Sequence, residues 1–230
     1  SRGTFMELLS ECPICKTESF QQFLECEDFT VSHETFILIQ CNSCQFVFTT
    51  SRPSFAEIAR YYQSEAYISH SNTSKGLLNR VYQQARKIAV RGKVELIASL
   101  NPSNYSILDY GSGTGEFLNA MKINGWNSKG IEPSIEARKL SVANYSLNVS
   151  NNEALLNFNQ GEFGVITLWH VLEHVHELNK TINQLNHLLA FQGFLIIAIP
   201  NREAYDAQYY KEHWAAYDVP RHLYHFNQSS

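Results

Sequence analysis

The sequence predicts an α/β protein, a doubly wound parallel sheet that carries a small amino-terminal module organised by cysteines. Three observations predict it. Four of the five cysteines fall in two CxxC pairs within the first 44 residues. From residue 106 onward, apolar runs of strand length alternate with stretches of helical period. Between the first such strand and the first such helix lies a loop with three glycines. At 230 residues there is room for one full domain and an appendage. A composition of 44% hydrophobic and 17% charged residues is that of a packed globule and not of a disordered chain.

In chain order, residues 1–5 read as a remnant ahead of a native start at Met6, and residues 1–52 form the first module. Cys12-Pro13-Ile14-Cys15 and Cys41-Asn42-Ser43-Cys44 are separated by 25 residues, the spacing of a zinc ribbon. Two residues between thiolates let each pair reach one metal while backbone N–H groups of the turn point at the sulfurs, and two pairs complete a tetrahedron. With Cys12, Cys15, Cys41 and Cys44 all occupied by protein, no position is left for a reactive water, so the zinc is expected to be structural. Two disulfides are the competing reading, but no basic-then-apolar leader opens the sequence and neighbouring CxxC cysteines favour metal in a reducing compartment, so a cytoplasmic location is expected. Cys26 is a small apolar filler. Residues 36–40 and 46–48 read as strands that carry the second pair at a hairpin tip.

Residues 53–100 read as linker and covering helices, at 53–62 and 77–100, the second with Leu78, Val81, Tyr82, Ala85, Ile88 and Ala89 three or four apart. Asn101-Pro102-Ser103-Asn104 stops that helix and opens the main domain, 101–230. Its expected strands are 106–109, 128–132, 147–149, 164–168 and 194–199, and its helices 115–124, 134–144 and 171–189. In such a sheet the ligand site lies beyond the carboxyl ends of the strands.

The run Asp109-Tyr110-Gly111-Ser112-Gly113-Thr114-Gly115-Glu116-Phe117 chooses the ligand. Glycines let backbone approach a ligand closely. The spacing is not the GxGxxG of dinucleotide folds, and Glu116 and Asp109 would repel a pyrophosphate while suiting a ligand that bears an ammonium group. S-adenosylmethionine, with its ammonium and cationic sulfur, fits. Glu132, 21 residues beyond Gly111, closes the second strand where a carboxylate can accept from both ribose hydroxyls.

On these residues the chain from about 77 to its end resembles the class I S-adenosylmethionine-dependent methyltransferases. The likeness is specific in four places: the 109–117 loop, Glu132, the stretch 163–175, and the strand 194–200. The third place looks like the subgroup of ubiquinone-type O-methyltransferases and small-molecule or sugar methyltransferases. The resemblance implies a Rossmann-like methyltransferase fold with cofactor contacts at Asp109, Tyr110, Gly111, Ser112, Gly113, Gly115, Phe117, Glu132, Pro133, Leu168, Trp169 and His170, the last three flanking the methionyl and sulfonium. In one departure, Gly164 stands where the family usually has Asp, which removes a local hydrogen bond. Tyr67 resembles a tyrosine that covers the acceptor in zinc-ribbon-bearing sugar C-methyltransferases.

His170-Val171-Leu172-Glu173-His174 literally matches the HxxEH of zinc proteases, but it begins at a strand end where no helix face exists, and the match is read as accidental. A cluster rich in aromatic and ionisable groups, from Trp214 to His225, follows the last strand in the region that faces the acceptor in related methyltransferases. A hydroxyl or carbon-acid acceptor needs a base, and His170, His222 and His225 are the candidates, with Tyr67 beside the acceptor.

The expectation is methyl transfer to a small molecule, a sugar or glycan precursor among the candidates. The alternatives are an RNA base methyltransferase and a non-catalytic cofactor-fold module that docks a protein through its ribbon. Net charge is −4, and residues 1–75 hold Arg2, Lys16, Arg52, Arg60 and Lys75 against nine acidic residues. An acidic appendage argues against nucleic acid. The longest apolar runs are far short of the roughly 18 residues that cross a bilayer, so no membrane role is expected. Only 30 residues follow Pro200, where full domains of this family add two strands. A carboxyl-terminal truncation is therefore expected, leaving a sheet of order 3-2-1-4-5 whose open edge invites pairing with a second copy.

Overall fold

The computed structural model describes residues 6–63 and 77–230, with side chains of the second stretch from residue 83 onward. Tyr67 lies outside the described residues. These residues divide into two units.

The first unit starts with β1 (Met6–Glu7), β2 (Phe20–Glu27), β3 (Thr35–Cys41), β4 (Val47–Thr50) and β5 (Arg52–Pro53). β3 follows its sequence alternation, with Phe36 and Leu38 buried between more exposed neighbours. The expected hairpin is β3–β4, antiparallel, with Cys41 closing one strand and Cys44 in the turn. β2 was not expected. Its pairing with β3 shifts register between Gln22 and Leu24, and such a bulge breaks the period of two by which a strand is read. The helix expected at 53–62 is also absent: β5 pairs with β1, and only Ile58–Tyr62 form a 3-10 turn.

The second unit opens with α1 (Leu77–Ser99), then β6 (Ser106–Tyr110), α2 (Glu116–Ile123), β7 (Asn127–Ile131), α3 (Ile135–Tyr145), β8 (Asn148–Ser150), β9 (Phe163–Trp169), α4 (Leu178–Leu188) and β10 (Leu189–Ala198). The five strands are parallel in the order β10-β9-β6-β7-β8, the expected doubly wound arrangement. All five residues of β6 are buried, as a central parallel strand requires. Ser134 caps α3, its Oγ accepting from the N–H of Ala137 at 3.2 Å. Ile97, Ile107, Phe117, Met121, Trp126 and Val165 form the core. The helix expected over 171–189 is shorter. His170 has a left-handed backbone (φ 57°), Leu172–His174 make a 3-10 turn, and the α-helix begins at Leu178. Gly164 has a positive role: a Cβ there would lie 1.9 Å from the carbonyl oxygen of Asn104, so an Asp would force the two backbones apart.

The tail was expected within a 101–230 domain and without strands. Instead, Ile199–Ser230 and Leu172–Asn179 belong to the first unit. After α5 (Tyr205–Tyr210), β11 (Tyr224–His225) pairs antiparallel with β4, which extends that sheet to β11-β4-β3-β2. Tyr217 and Val219 pack with Cys26, Phe36, Leu38, Val47 and Tyr61, so two-residue β11 is held by packing that no short run advertises. Among the described residues no helix is long and apolar enough to cross a membrane.

Arg221 fastens the tail. It is 1% exposed and donates to Asp28 Oδ1 at 2.8 Å, to Asp218 Oδ1 at 2.7 Å and to the carbonyl of Tyr61 at 2.8 Å. Burial alone would raise the Asp28 carboxyl, but the bonds from Arg221 and Ser32 outweigh it and hold it at about 2. Arg221→Ala is expected to destabilise the first unit by about 3–5 kcal/mol in urea unfolding, because Asp28 is left as a buried, uncompensated charge. In the wild type the Asp28 contribution is fully present above the unfolded value of 3.8 and is lost as pH falls toward 2. The variant should lack that segment of the acid titration.

Candidate functional site

In the second unit, β6 runs into the glycine loop at the carboxyl edge of the sheet. Gly111, Gly113 and Gly115 all have positive φ (81°, 54° and 90°), a conformation that other residues rarely adopt. The N–H groups of Gly111 and Ser112 both donate to the carbonyl of Ile131, at 2.7 and 3.0 Å, which ties the loop to the end of β7. A Cβ at Gly111 would meet Val171 at 2.4 Å, and one at Gly115 would meet Leu147 at 2.5 Å. Gly113 differs, with nothing within 4 Å of its would-be Cβ, so bare backbone borders open space there.

Glu132 stands just past β7. Its Oε2 accepts from the N–H of Gly113 at 2.8 Å and its Oε1 from the N–H of Ser134 at 2.9 Å. The carboxylate is thus fixed beside the open backbone of the loop. Asp109 is 2% exposed and accepts from Thr167 Oγ1 on β9 at 2.7 Å. Burial pushes its carboxyl up to about 6 against the bond from Thr167 and the nearby Lys93 ammonium, with Glu132 adding to the rise. Phe117 packs edge-on against Trp169 at 5.4 Å, and Lys93 Nζ lies 4.4 Å from the Trp169 ring centre. Leu168 and Tyr110 are buried, whereas His170 is exposed at the end of β9, its N–H donating to the carbonyl of Ala198. Pro133 follows Glu132, and its carbonyl accepts from Arg138 at 2.8 Å.

Two polar atoms bear on what this edge can hold. Ser112 Oγ and Trp169 Nε1 are buried without a hydrogen-bond partner among the described residues, a costly state that a polar ligand relieves. Two carboxylates, two such atoms and an open stretch of glycine backbone fit a ligand with hydroxyls and positive charge. Thr167 and Lys93 were missed by sequence reasoning. The parallel register sets Asp109 beside Thr167 and could have suggested the first. Nothing local points to Lys93, which only the course of α1 brings to Trp169.

In the first unit, the sulfurs of Cys12, Cys15, Cys41 and Cys44 lie within 4.8 Å of one another, with Cys12–Cys44 at 3.5 Å and Cys15–Cys41 at 3.4 Å. Sulfurs at about 2.3 Å from a tetrahedral zinc would stand about 3.8 Å apart, so the cluster is of the size to bind zinc. Backbone N–H groups of Ile14 and Cys15 point at Cys12, and those of Ser43 and Cys44 at Cys41, as the knuckle reading requires. Burial raises the Cys41 thiol, but these donors and Thr17 outweigh it and bring it to about 6. All five cysteines are free thiols, so the disulfide alternative is not the one adopted.

The remaining histidines separate. His225 is 4% exposed, its Nε2 is 2.9 Å from Thr49 Oγ1, and burial drives its imidazole well below the ordinary range. His222 instead meets His174, their rings 4.6 Å apart and perpendicular, near Glu173.

The family described as "Methyltransferase domain" matches residues 82–230. No curated protein matches the chain. Among solved structures, a SAM-dependent methyltransferase from Archaeoglobus fulgidus is 19% identical, with 66% of this chain and 69% of that one covered and a TM-score of 0.51. At that identity the likeness speaks for the fold. Another from Thermotoga maritima is 19% identical over 64% of this chain and 72% of that one, with a TM-score of 0.48.

Asp109 makes a prediction that needs no ligand. The native carboxyl keeps its proton to about pH 6 while an unfolded aspartate releases it near 3.8, so the folded state binds more protons in that window and stability falls as pH rises through it. Asp109→Asn keeps an acceptor for Thr167 and removes the buried charge. Thermal unfolding should show the variant more stable than wild type by up to about 3 kcal/mol near pH 8, with no gain below about pH 4.

Proposed function

The chain belongs to the methyltransferase-domain family, and from that premise we propose that it transfers the methyl group of S-adenosylmethionine to a small-molecule acceptor, with a sugar or glycan precursor as the favoured class. The observation that carries the cofactor assignment is the pairing of Glu132 with the open backbone at Gly113. When bound, the cofactor supplies a methyl group already activated by its sulfonium. What the protein then adds is orientation and exclusion of water.

Glu132 is the group assigned to the ribose hydroxyls. Its bond from Gly113 keeps the carboxylate at the loop, so little ordering remains to be done on binding. Asp109 supplies negative potential from a buried position, where it acts on a cation with little screening. Leu168 and Trp169 form the apolar wall of the methionyl end. His170, exposed and held by its left-handed backbone at the end of β9, is the assigned base for a hydroxyl or carbon-acid acceptor. The four cysteines are assigned one structural zinc. They offer thiolate donors only, which closes the coordination sphere and leaves the metal to stabilise the ribbon.

Calorimetry with S-adenosylhomocysteine checks the cofactor site. Glu132→Ala should weaken binding by about 1–3 kcal/mol, the usual cost of deleting a charged hydrogen-bond partner, and unchanged affinity would move the site elsewhere. The acceptor class is read separately, by incubating the chain and methyl-labelled S-adenosylmethionine with a cell extract divided by size. Label in the low-mass fraction supports the proposal, and label in RNA overturns it. His170→Ala should reduce the low-mass label by about 10²–10⁴-fold while leaving S-adenosylhomocysteine affinity unchanged.

A further inference from the structure

Glu173, His174 and His222 lie in the first unit, away in sequence from the four cysteines, and each presents one ligand-type atom within 4.8 Å of the other two. We propose that these three residues form a second metal site, distinct from the four-cysteine cluster, that takes a divalent transition metal through two imidazole nitrogens and one carboxylate oxygen. The proposal is independent of the methyl-transfer reading.

The backbone prepares the site. The N–H of Leu223 donates to the carbonyl of Glu173 at 2.7 Å, and His174 Nδ1 lies 3.0 Å from the carbonyl of Arg221. Two bonds therefore lock the segment around Glu173 and His174 against the segment around His222, and Arg221 anchors the latter through its buried ion pairs. Sites that bind metal tightly are held in this way before the ion arrives.

The tautomers follow from the same contacts. A carbonyl can only accept, so His174 Nδ1 carries the hydrogen toward Arg221, with the Tyr62 hydroxyl 3.1 Å from the same nitrogen. His222 Nδ1 likewise donates to the carbonyl of Ala216 at 2.8 Å. Each ring is then left with a lone pair on Nε2. His222 Nε2 stands 3.9 Å from Asp218 Oδ2, which adds a second carboxylate at this edge. Ligand imidazoles that donate Nδ1–H to a carbonyl and offer Nε2 to a metal are the usual arrangement.

What converges is a set of acceptors: two imidazole lone pairs and a carboxylate oxygen. Glu173 is 1% exposed and His222 9%, so water does little to screen the charge these donors present. A divalent cation serves all three donors at once. Two imidazoles and one carboxylate suit zinc, cobalt, nickel or iron(II), and would be a poor choice for magnesium or calcium, which prefer all-oxygen shells.

This is not the HxxEH arrangement that the sequence spells. That motif needs His170 and His174 on one helical face, and here a left-handed residue and a 3-10 turn intervene. The second histidine comes from 48 residues further along the chain.

Cobalt(II) distinguishes the two sites, because thiolate ligands give intense charge-transfer absorption and nitrogen and oxygen ligands give only weaker d–d bands. The full chain, stripped with chelator, is titrated with cobalt(II) and followed by absorption and by elemental analysis. The expected result is a nitrogen/oxygen-type spectrum accounting for one cobalt per chain in addition to any thiolate-type uptake. The double variant His174→Ala/His222→Ala should lose that cobalt and keep the thiolate signal. Should the double variant fail to fold by circular dichroism, Glu173→Gln replaces it and should weaken the nitrogen/oxygen-type uptake at least tenfold. Absence of that spectrum in the wild type, or its persistence unchanged in the folded variants, would overturn the proposal.

Discussion

Arg221 does for this chain what a longer hydrophobic interface does for others. A guanidinium at 1% exposure must have every donor met, and the partners it finds are Asp28 in the first 30 residues, Asp218 beside it and the carbonyl of Tyr61. Removing the guanidinium from water is affordable only because the geometry is multidentate and the carboxylates are held ionised. The order of the tail depends on this network. β11 is two residues long, and a pairing of that length cannot hold a strand by its own hydrogen bonds. With Arg221 in place, Leu223 reaches Glu173, His225 reaches Thr49, and Tyr217 and Val219 close the apolar cluster around Cys26 and Leu38.

The second unit rests on a different constraint. A fully buried β6 must end abruptly so that α2 can begin, and three left-handed glycines make the turn. Two of them are also places where a side chain would collide, with Val171 and with Leu147, and those contacts pack the loop against the residues that follow β9 and α3. The third, Gly113, meets no neighbour, and Glu132 binds its N–H. Stability and function are thereby divided among neighbouring glycines of one loop. Asp109 carries the opposite balance. Its charge is unfavourable to the fold at neutral pH because it is desolvated, and it is the same desolvation that lets it act strongly on a bound cation.

The site residues divide by how local their signal is. Glycine spacing, Glu132 at a strand end and two CxxC pairs are local patterns, each tied to a backbone conformation or a coordination number, and the structure brings each group together. Glu173 with His222 and Lys93 with Trp169 are pairs formed by distant segments, and no spacing rule connects them. His222 and His225 illustrate the same limit from the other side. They are three apart in one aromatic cluster, yet one meets His174 and the other is sealed against Thr49, because β11 takes in His225 and begins only after His222.

From the sequence alone, this protein's parallel sheet, its strand order and its glycine loop were determined, because alternation of strand and helix with a right-handed crossover leaves few topologies. The clustering of four cysteines was determined too, since only chain spacing was needed to see it. Only the tertiary structure decided that the tail belongs with the amino-terminal module. The residues responsible, Arg221, Tyr217, Val219 and a two-residue strand, have no periodicity, and their energy comes from burial against Asp28, Phe36 and Val47, nearly two hundred residues away. It also decided the unexpected β2 and the shortened α4, where a bulge and a left-handed His170 interrupt the periods that make elements legible. A one-dimensional pattern reports the face an element must bury. It does not report which distant surface arrives to cover it.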